Sequence, residues 1–401
     1  MLRSFDDIGP GKRVNPESEQ GRLNYYSRRL RWWQGNYQGI IPEDISTLAN
    51  RLNVNWFRRV ATFYPQTMFS ERPLVIVDNN NDAFQRNWRD DSRKFWRSIQ
   101  SANVDAHRFG DGVVYFMPER PNILVRANPS FWFQVANEIG DVVGDIIIQV
   151  ISSHPNDIAR VYKKRFNEPI VTRSVYELNN SQLQATLEGE QELPSIPNSL
   201  MGTSFQLAVD GQSLFDRIET KIGSLNSVFA NLREAIRKNL YPNMYGPRGA
   251  VVTGADGKSS LVVQGQYFPL DQNDQPPGYI QWDLPSEILT QFNDRVTEAV
   301  LTEVGLSTAL FDPSIATGVL SGEALRRINL PFVFELNNFK EINNEFLTNL
   351  IVNWTTYRQL QSLPALPISS EDIEIDWQFL RLFSEDTQEE LGTLDRELGL
   401  V

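Results

Sequence analysis

The chain has 401 residues, 41% of them apolar and 22% charged, which is enough for two or three domains with a sizeable core and excludes a disordered protein. It has no cysteine, so disulfides, thiolate nucleophiles and cysteine metal sites are excluded, and its formal charge of -12 argues against broad gripping of nucleic acid, a task for Lys and Arg. Met1 to Lys12 has no apolar signal core and no run of about 18 apolar residues follows, so synthesis in the cytoplasm and no membrane partner are expected.

In chain order, Gln20 to Gln34 has helical spacing at Leu23, Tyr26, Leu30 and Trp33 and ends at Gly35. A second helix is expected over Ile45 to about Phe63, after Pro42 and with Asp44 as its N-cap. Arg72 to Asp78 reads as a strand. Asp82 to about Phe109 reads as a helix that buries Phe84, Trp88, Phe95, Ile99 and Val104, and Gly110-Asp111-Gly112 turns it into the strand Val113 to Met117. Helix, glycine turn, strand is an α+β signature. Short β-rich runs fill Ile123 to Glu177, notably Asp145 to Ser152 and Ile170 to Leu178. Asn179 to Ser199 is polar, carries Pro194 and Pro197, and reads as a surface loop or insertion, with Phe205 to Val209 as a last strand.

Two long amphipathic helices come next. In the first, Leu214, Ile218, Ile222, Leu225, Phe229, Leu232, Ile236 and Leu240 recur at steps of three and four; in the second, Ile288, Phe292, Val296, Val300 and Val304 recur at steps of four. At about 1.5 Å per residue, 25 residues make a rod of roughly 40 Å. Tyr241 to Asp283 between them is rich in Pro and Gly and cannot continue either rod; Gly249 to Thr253 and Ser259 to Val263 around an Asp-Gly turn read as a β-hairpin. Ser307 to Leu320, with Asp312-Pro313 and Gly318, breaks from helix. A third long helix starts at Ser321-Gly322-Glu323 and keeps its apolar spacing from Leu325 to Tyr357, with a kink expected at Pro331. Beyond Leu363 a strand near Ile373 to Trp377 and a short acidic helix are expected.

Motifs for chemistry are scarce. His107 and His154 are the two histidines, and they read as a packing residue and a loop residue. The adjacent pairs Asp90-Asp91, Glu43-Asp44 and Glu389-Glu390 read as solvated surface. Gly254 to Ser259 ends like a phosphate-binding loop, but Val252 stands where the first glycine belongs and Leu261-Val262-Val263 continues as strand instead of helix. Charge is uneven: Arg22, Arg28, Arg29, Arg31, Arg51, Arg58 and Arg59 cluster early, and Glu371, Asp372, Glu374, Asp376, Glu385, Asp386, Glu389 and Glu390 late, either as two solvated faces or as surfaces for different partners.

In its order of parts the chain resembles the portal proteins of tailed bacteriophages, the head-to-tail connector family. Ser321-Gly322-Glu323-Ala324-Leu325-Arg326 resembles the start of that family's tunnel helix, and Gly110-Asp111-Gly112-Val113-Val114-Tyr115 resembles its wing motif. The resemblance implies an α+β wing over 1–210, a stem helix over 211–240, a small β-containing clip over 241–283, a second stem helix over 284–306, a tunnel loop over 307–320, a long kinked tunnel helix over 321–362, and a short crown or wing segment over 363–401.

It further implies a non-enzymatic ring of twelve copies at one capsid vertex of the virion, assembled in the host cytoplasm, through which double-stranded DNA is packaged and ejected. Partners would be the terminase large subunit, a neck or tail adaptor and the major capsid protein, with no cofactor and no metal. On this resemblance, Ser307, Asp312, Ser314, Thr317 and Gly318 face DNA; Tyr245, Arg248, Lys258 and Tyr267 contact the motor or the adaptor; and Phe229, Leu232, Phe292 and Val296 pack between subunits. Two rivals stand beside it: a metal-dependent nucleic-acid enzyme, which needs a carboxylate cluster, and another neck or adaptor protein, which needs no clip between two rods.

Overall fold

The computed structural model describes residues 1–36, 55–70, 72–77, 82–152, 157–207, 213–240, 243–247, 267–270, 278–280, 286–311, 322–363 and 368–377. Among them lie six α-helices: α1 (Gln20–Trp33), α2 (Trp56–Met68), α3 (Asp82–Phe109), α4 (Leu214–Leu240), α5 (Ser286–Glu303) and α6 (Gly322–Leu360). The strands are β1 (Leu74–Val77), β2 (Asp111–Met117), β3 (Arg120–Ala127), β4 (Trp132–Ala136), β5 (Val142–Ile151), β6 (Asp157–Arg165), β7 (Ile170–Asn179), β8 (Gln182–Pro194), β9 (Gly202–Gln206), β10 (Asn243–Pro247), β11 (Tyr267–Leu270), β12 (Gly278–Ile280) and β13 (Ile373–Asp376). The protein is therefore α+β. It divides into two units, one of Met1–Gln34, Asn55–Arg217 and Arg326–Val401, the other of Gly35–Val54 and Ile218–Leu325.

The first unit is built in layers. Strands β4 to β8 form an antiparallel meander in chain order, and β3-β2-β9 form a smaller antiparallel sheet. The two sheets share a core in which Val113, Tyr115 and Ala127 meet Trp132, Ile147, Tyr162 and Val171. On the other face of the meander, Leu2, Ile8 and Val14 of the N-terminal segment pack against Phe133, Val135, Ile146 and Val161. Burying side chains of this size stabilises by about 1.5–3 kcal/mol each. Helix α3 covers the remaining face of the small sheet, and at Gly112 a Cβ would sit 1.9 Å from the Ala102 carbonyl oxygen. Glycine is needed there for close approach. Gly110 takes a positive φ of 91°, which makes the turn from helix into strand.

Several expectations are corrected by this unit. Asn179 to Ser199 is mostly strand: Asn180 and Ser181 turn with φ of 48° and 62°, and β8 pairs back onto β7 for thirteen residues. Its polarity reflects an edge position, where nearly every side chain meets water. In α1 the buried residues are Leu23, Tyr26, Arg29 and Trp32, whereas Leu30 is exposed. Arg29 turns inward because it pairs with Asp216 and lies over the Tyr25 and Trp32 rings, 4.4 and 4.1 Å from their centroids. Arg22 likewise points into the body, donating to the backbone of Pro129 and Trp132, so the early arginine cluster is not one solvated face. Asp91 is buried, accepting from Trp354 Nε1 at 3.2 Å and from Arg358 at 2.8 Å, while Asp90 is exposed. Val104 is half-buried. Helix α2 runs on past Phe63 and Pro65 to Met68, and the Asn55 side chain caps it at Arg58 N. Ile45 to Val54, Glu43-Asp44, Arg51, His154, Glu389-Glu390 and the acidic C-terminal helix lie outside the described residues.

His107 lies fully buried in α3, stacked on Tyr64 and edge-on to Phe339. Its Nδ1–H donates to the Asn103 carbonyl at 2.9 Å, since a carbonyl can only accept. Burial, helped by the Arg217 charge and opposed by that hydrogen bond, pushes its pKa down to about 4. As pH falls from 6.5 towards 4 the unfolded chain takes up the proton and the folded chain does not, so stability is lost through that window, by about 3 kcal/mol. Urea midpoints at pH 7 and pH 4.5 should therefore diverge, and His107→Asn should flatten the difference.

In the second unit α4 and α5 run antiparallel, with Lys221 near the start of α4 paired to Glu303 at the end of α5. Ile222 and Leu225 of α4 are buried, as are Val300, Leu301 and Val304 at the end of α5. Gly305, at a φ of 71°, closes α5, with Leu306 N–H returning to the Leu301 carbonyl at 2.8 Å. Between the helices, β10 pairs parallel with β11 and antiparallel with β12. The segment expected to hold a small β fold thus contains a three-stranded sheet. Gly249 to Thr253, Ser259 to Val263 and the phosphate-loop-like Gly254 to Ser259 lie outside the described residues.

Candidate functional site

The residues expected to pack between subunits sit on α4 and α5. Phe292 is 47% exposed, Val296 and Phe229 are half-buried, and only the backbone of Leu232 is described, in α4. The stripe on α5 therefore buries Val300 and Val304 within the chain and leaves Phe292 open. Tyr245 and Tyr267 fall in β10 and β11, whose register places Met244 beside Tyr267 and Tyr245 beside Phe268. The sheet brings these two positions together. Arg248 and Lys258 lie outside the described residues. Ser307 precedes a 3-10 turn over Thr308–Leu310, while Asp312, Ser314, Thr317 and Gly318 lie outside the described residues, as does Ser321. Pro331 lies inside the 39-residue helix α6.

Inside the first unit, Asp145 on β5 is a buried carboxylate that joins several elements. Its carboxylate is fully buried and accepts from Trp132 Nε1 at 3.1 Å, Met201 N at 3.0 Å and Gly202 N at 2.8 Å. Burial raises its pKa, against the lowering effect of these three donors and of Lys164. Lys164 is itself buried and donates to the backbone carbonyls of Arg165 and Glu168. Asp145 thus ties β5 of the five-stranded sheet to the entrance of β9, while Lys164 holds the turn after β6.

Beside β9 lies a groove of about 680 Å³, lined by Glu345, Asn349 and Asn353 of α6 and by Phe166 and Asn198. Asn353 donates to Thr203 Oγ1 at 3.2 Å, and Phe346 stacks on Phe205, so α6 is held against one face of the strand. The amides on α6 at positions 349 and 353 are one helical turn apart and could have been noticed as a polar stripe beside the apolar one. Their partner strand could not.

Among the described residues no helix is long and apolar enough to cross a membrane, and no group of three or more His, Asp or Glu side chains is placed to hold a metal ion. No protein-family model matches the chain, and no curated protein matches it.

Proposed function

We propose that the chain is the subunit of a portal-type ring of twelve copies at one vertex of a tailed-phage capsid, the channel for packaging and ejection of double-stranded DNA. The observation that carries this reading is the order of parts: an α+β body, the 27-residue α4, a small sheet, α5 returning antiparallel to the start of α4, and then the 39-residue α6. A helix pair tipped by a β module suits a stem and clip, and the open Phe292 on α5 suits packing against an identical neighbour. The net charge of -12 suits a channel that lets phosphates slide instead of holding them in one register.

On this reading the ring is structural. The terminase large subunit supplies ATP hydrolysis and docks on the clip, the neck or tail adaptor replaces it later, and the major capsid protein surrounds the ring in the virion. Negative-stain images of the purified protein are expected to show rings with a central hole, and native mass spectrometry about twelve copies. Compact monomers with metal-stimulated nuclease activity would overturn the reading.

A further inference from the structure

The sheet β3-β2-β9 ends in β9, and β9 carries neither the charge, nor the proline, nor the bulge that blunts an exposed sheet edge. Strand β8, at the edge of the other sheet, has Glu188, Glu190 and Glu192 and an irregular register, and β3 has Arg120, Pro121, Arg126 and a bulge. By contrast β9 reads Gly-Thr-Ser-Phe-Gln, with no charge, no proline and an unbroken register with β2 from Gly202 to Gln206.

The register also says which groups are free. Leu207 N–H bonds to the Gly110 carbonyl at 3.2 Å, so the hydrogen-bonded pairs continue at Phe205 with Gly112 and at Thr203 with Val114. Ser204 and Gln206 therefore aim their N–H and C=O groups away from β2, along the edge that lines the groove. The outward N–H of Gly202 is already taken by Asp145.

We infer that this groove is a peptide-binding site in which a neutral-to-basic extended segment of a partner protein pairs with Ser204 and Gln206 as an added strand. An extended backbone is the ligand whose alternating donors and acceptors match a free strand edge. About half of the residues around it are amides and hydroxyls, Asn198, Asn349, Asn353 and Thr356 among them, the rest are apolar, and Glu345 is the one charge. A wall with a carboxylate and no cation repels acidic segments and nucleic-acid phosphates and favours one basic residue on the incoming strand. The inference does not depend on the ring.

The test uses the full chain and three capped hexapeptides of alternating valine and threonine: one with a central arginine, one with glutamate there, and one with arginine but N-methylated at alternate amides. Hydrogen exchange and titration are expected to show protection of the Ser204 and Gln206 amides by the arginine peptide, about fivefold weaker binding of the glutamate peptide, and no binding of the methylated one. Ser204→Pro removes an outward donor without touching the ladder to β2 and should abolish binding. Asn349→Trp, which fills the groove from an exposed helical position, should do the same should the proline variant fail to fold. Equal binding of the methylated peptide, binding that survives Asn349→Trp, or no binding of the arginine peptide would overturn the site. Protection of both amides in the protein alone, lost on dilution, would overturn the assignment in favour of a second copy of this chain.

Discussion

Asp145→Ala is expected to lower the stability of the first unit by about 3–5 kcal/mol, read as a drop in the urea midpoint at constant slope. The wild-type carboxylate accepts three hydrogen bonds, from Trp132 Nε1 and from the backbone of Met201 and Gly202, at a position with no exposure. Alanine leaves all three donors buried without an acceptor, and it also removes the carboxylate that lies near the buried Lys164. Asp145→Asn should fall between, since the amide oxygen still accepts while its NH2 group turns a donor towards a donor. Asp90→Ala, on the exposed side of α3, should stay within about 0.5 kcal/mol of wild type. Should Asp145→Ala match Asp90→Ala, the link from β5 to the entrance of β9 contributes nothing to stability.

The long helices were legible because their apolar spacing repeats over many turns: α3 and α4 fall at Asp82–Phe109 and Leu214–Leu240 as the periodicity predicts. The glycine turn Gly110-Asp111-Gly112 was legible too, because the positive φ at Gly110 and the close approach at Gly112 each demand glycine. Strand β8 was not, since a solvated edge strand has no apolar alternation and its sequence is indistinguishable from a polar loop until β7 is beside it. Arg29 and Asp91 were misjudged for a related reason. A charge is buried only when a partner far along the chain receives it, here Asp216 and Arg358, and local pattern holds no trace of that pairing. The groove beside β9 joins residues about 150 positions apart, as in the Asn353 to Thr203 bond, so it could be found only in the fold. Residues proposed to meet DNA were chosen by resemblance, and four of the five lie outside the described residues.

Phe292→Asp is expected to leave the isolated subunit as stable as wild type and to abolish the ring. Phe292 is 47% exposed in the single chain, so the exchange removes little internal packing and should change stability by no more than about 0.5 kcal/mol. In the proposed ring the same side chain meets a neighbour, and an aspartate there would be buried without a partner, at a penalty of several kcal/mol per interface. Each 1.4 kcal/mol is a factor of ten in the association constant, and a closed ring repeats the penalty at every interface. Phe229→Asp is the less clean variant, because Phe229 is already half-buried within its own chain and its loss would weaken the subunit as well. Light scattering should therefore report smaller species for Phe292→Asp, with a thermal melt unchanged from that of dissociated wild-type subunits. Rings of unchanged mass would remove Phe292 from the subunit interface, and a lowered melt of the dissociated subunit would mean that Phe292 is packed within the chain after all.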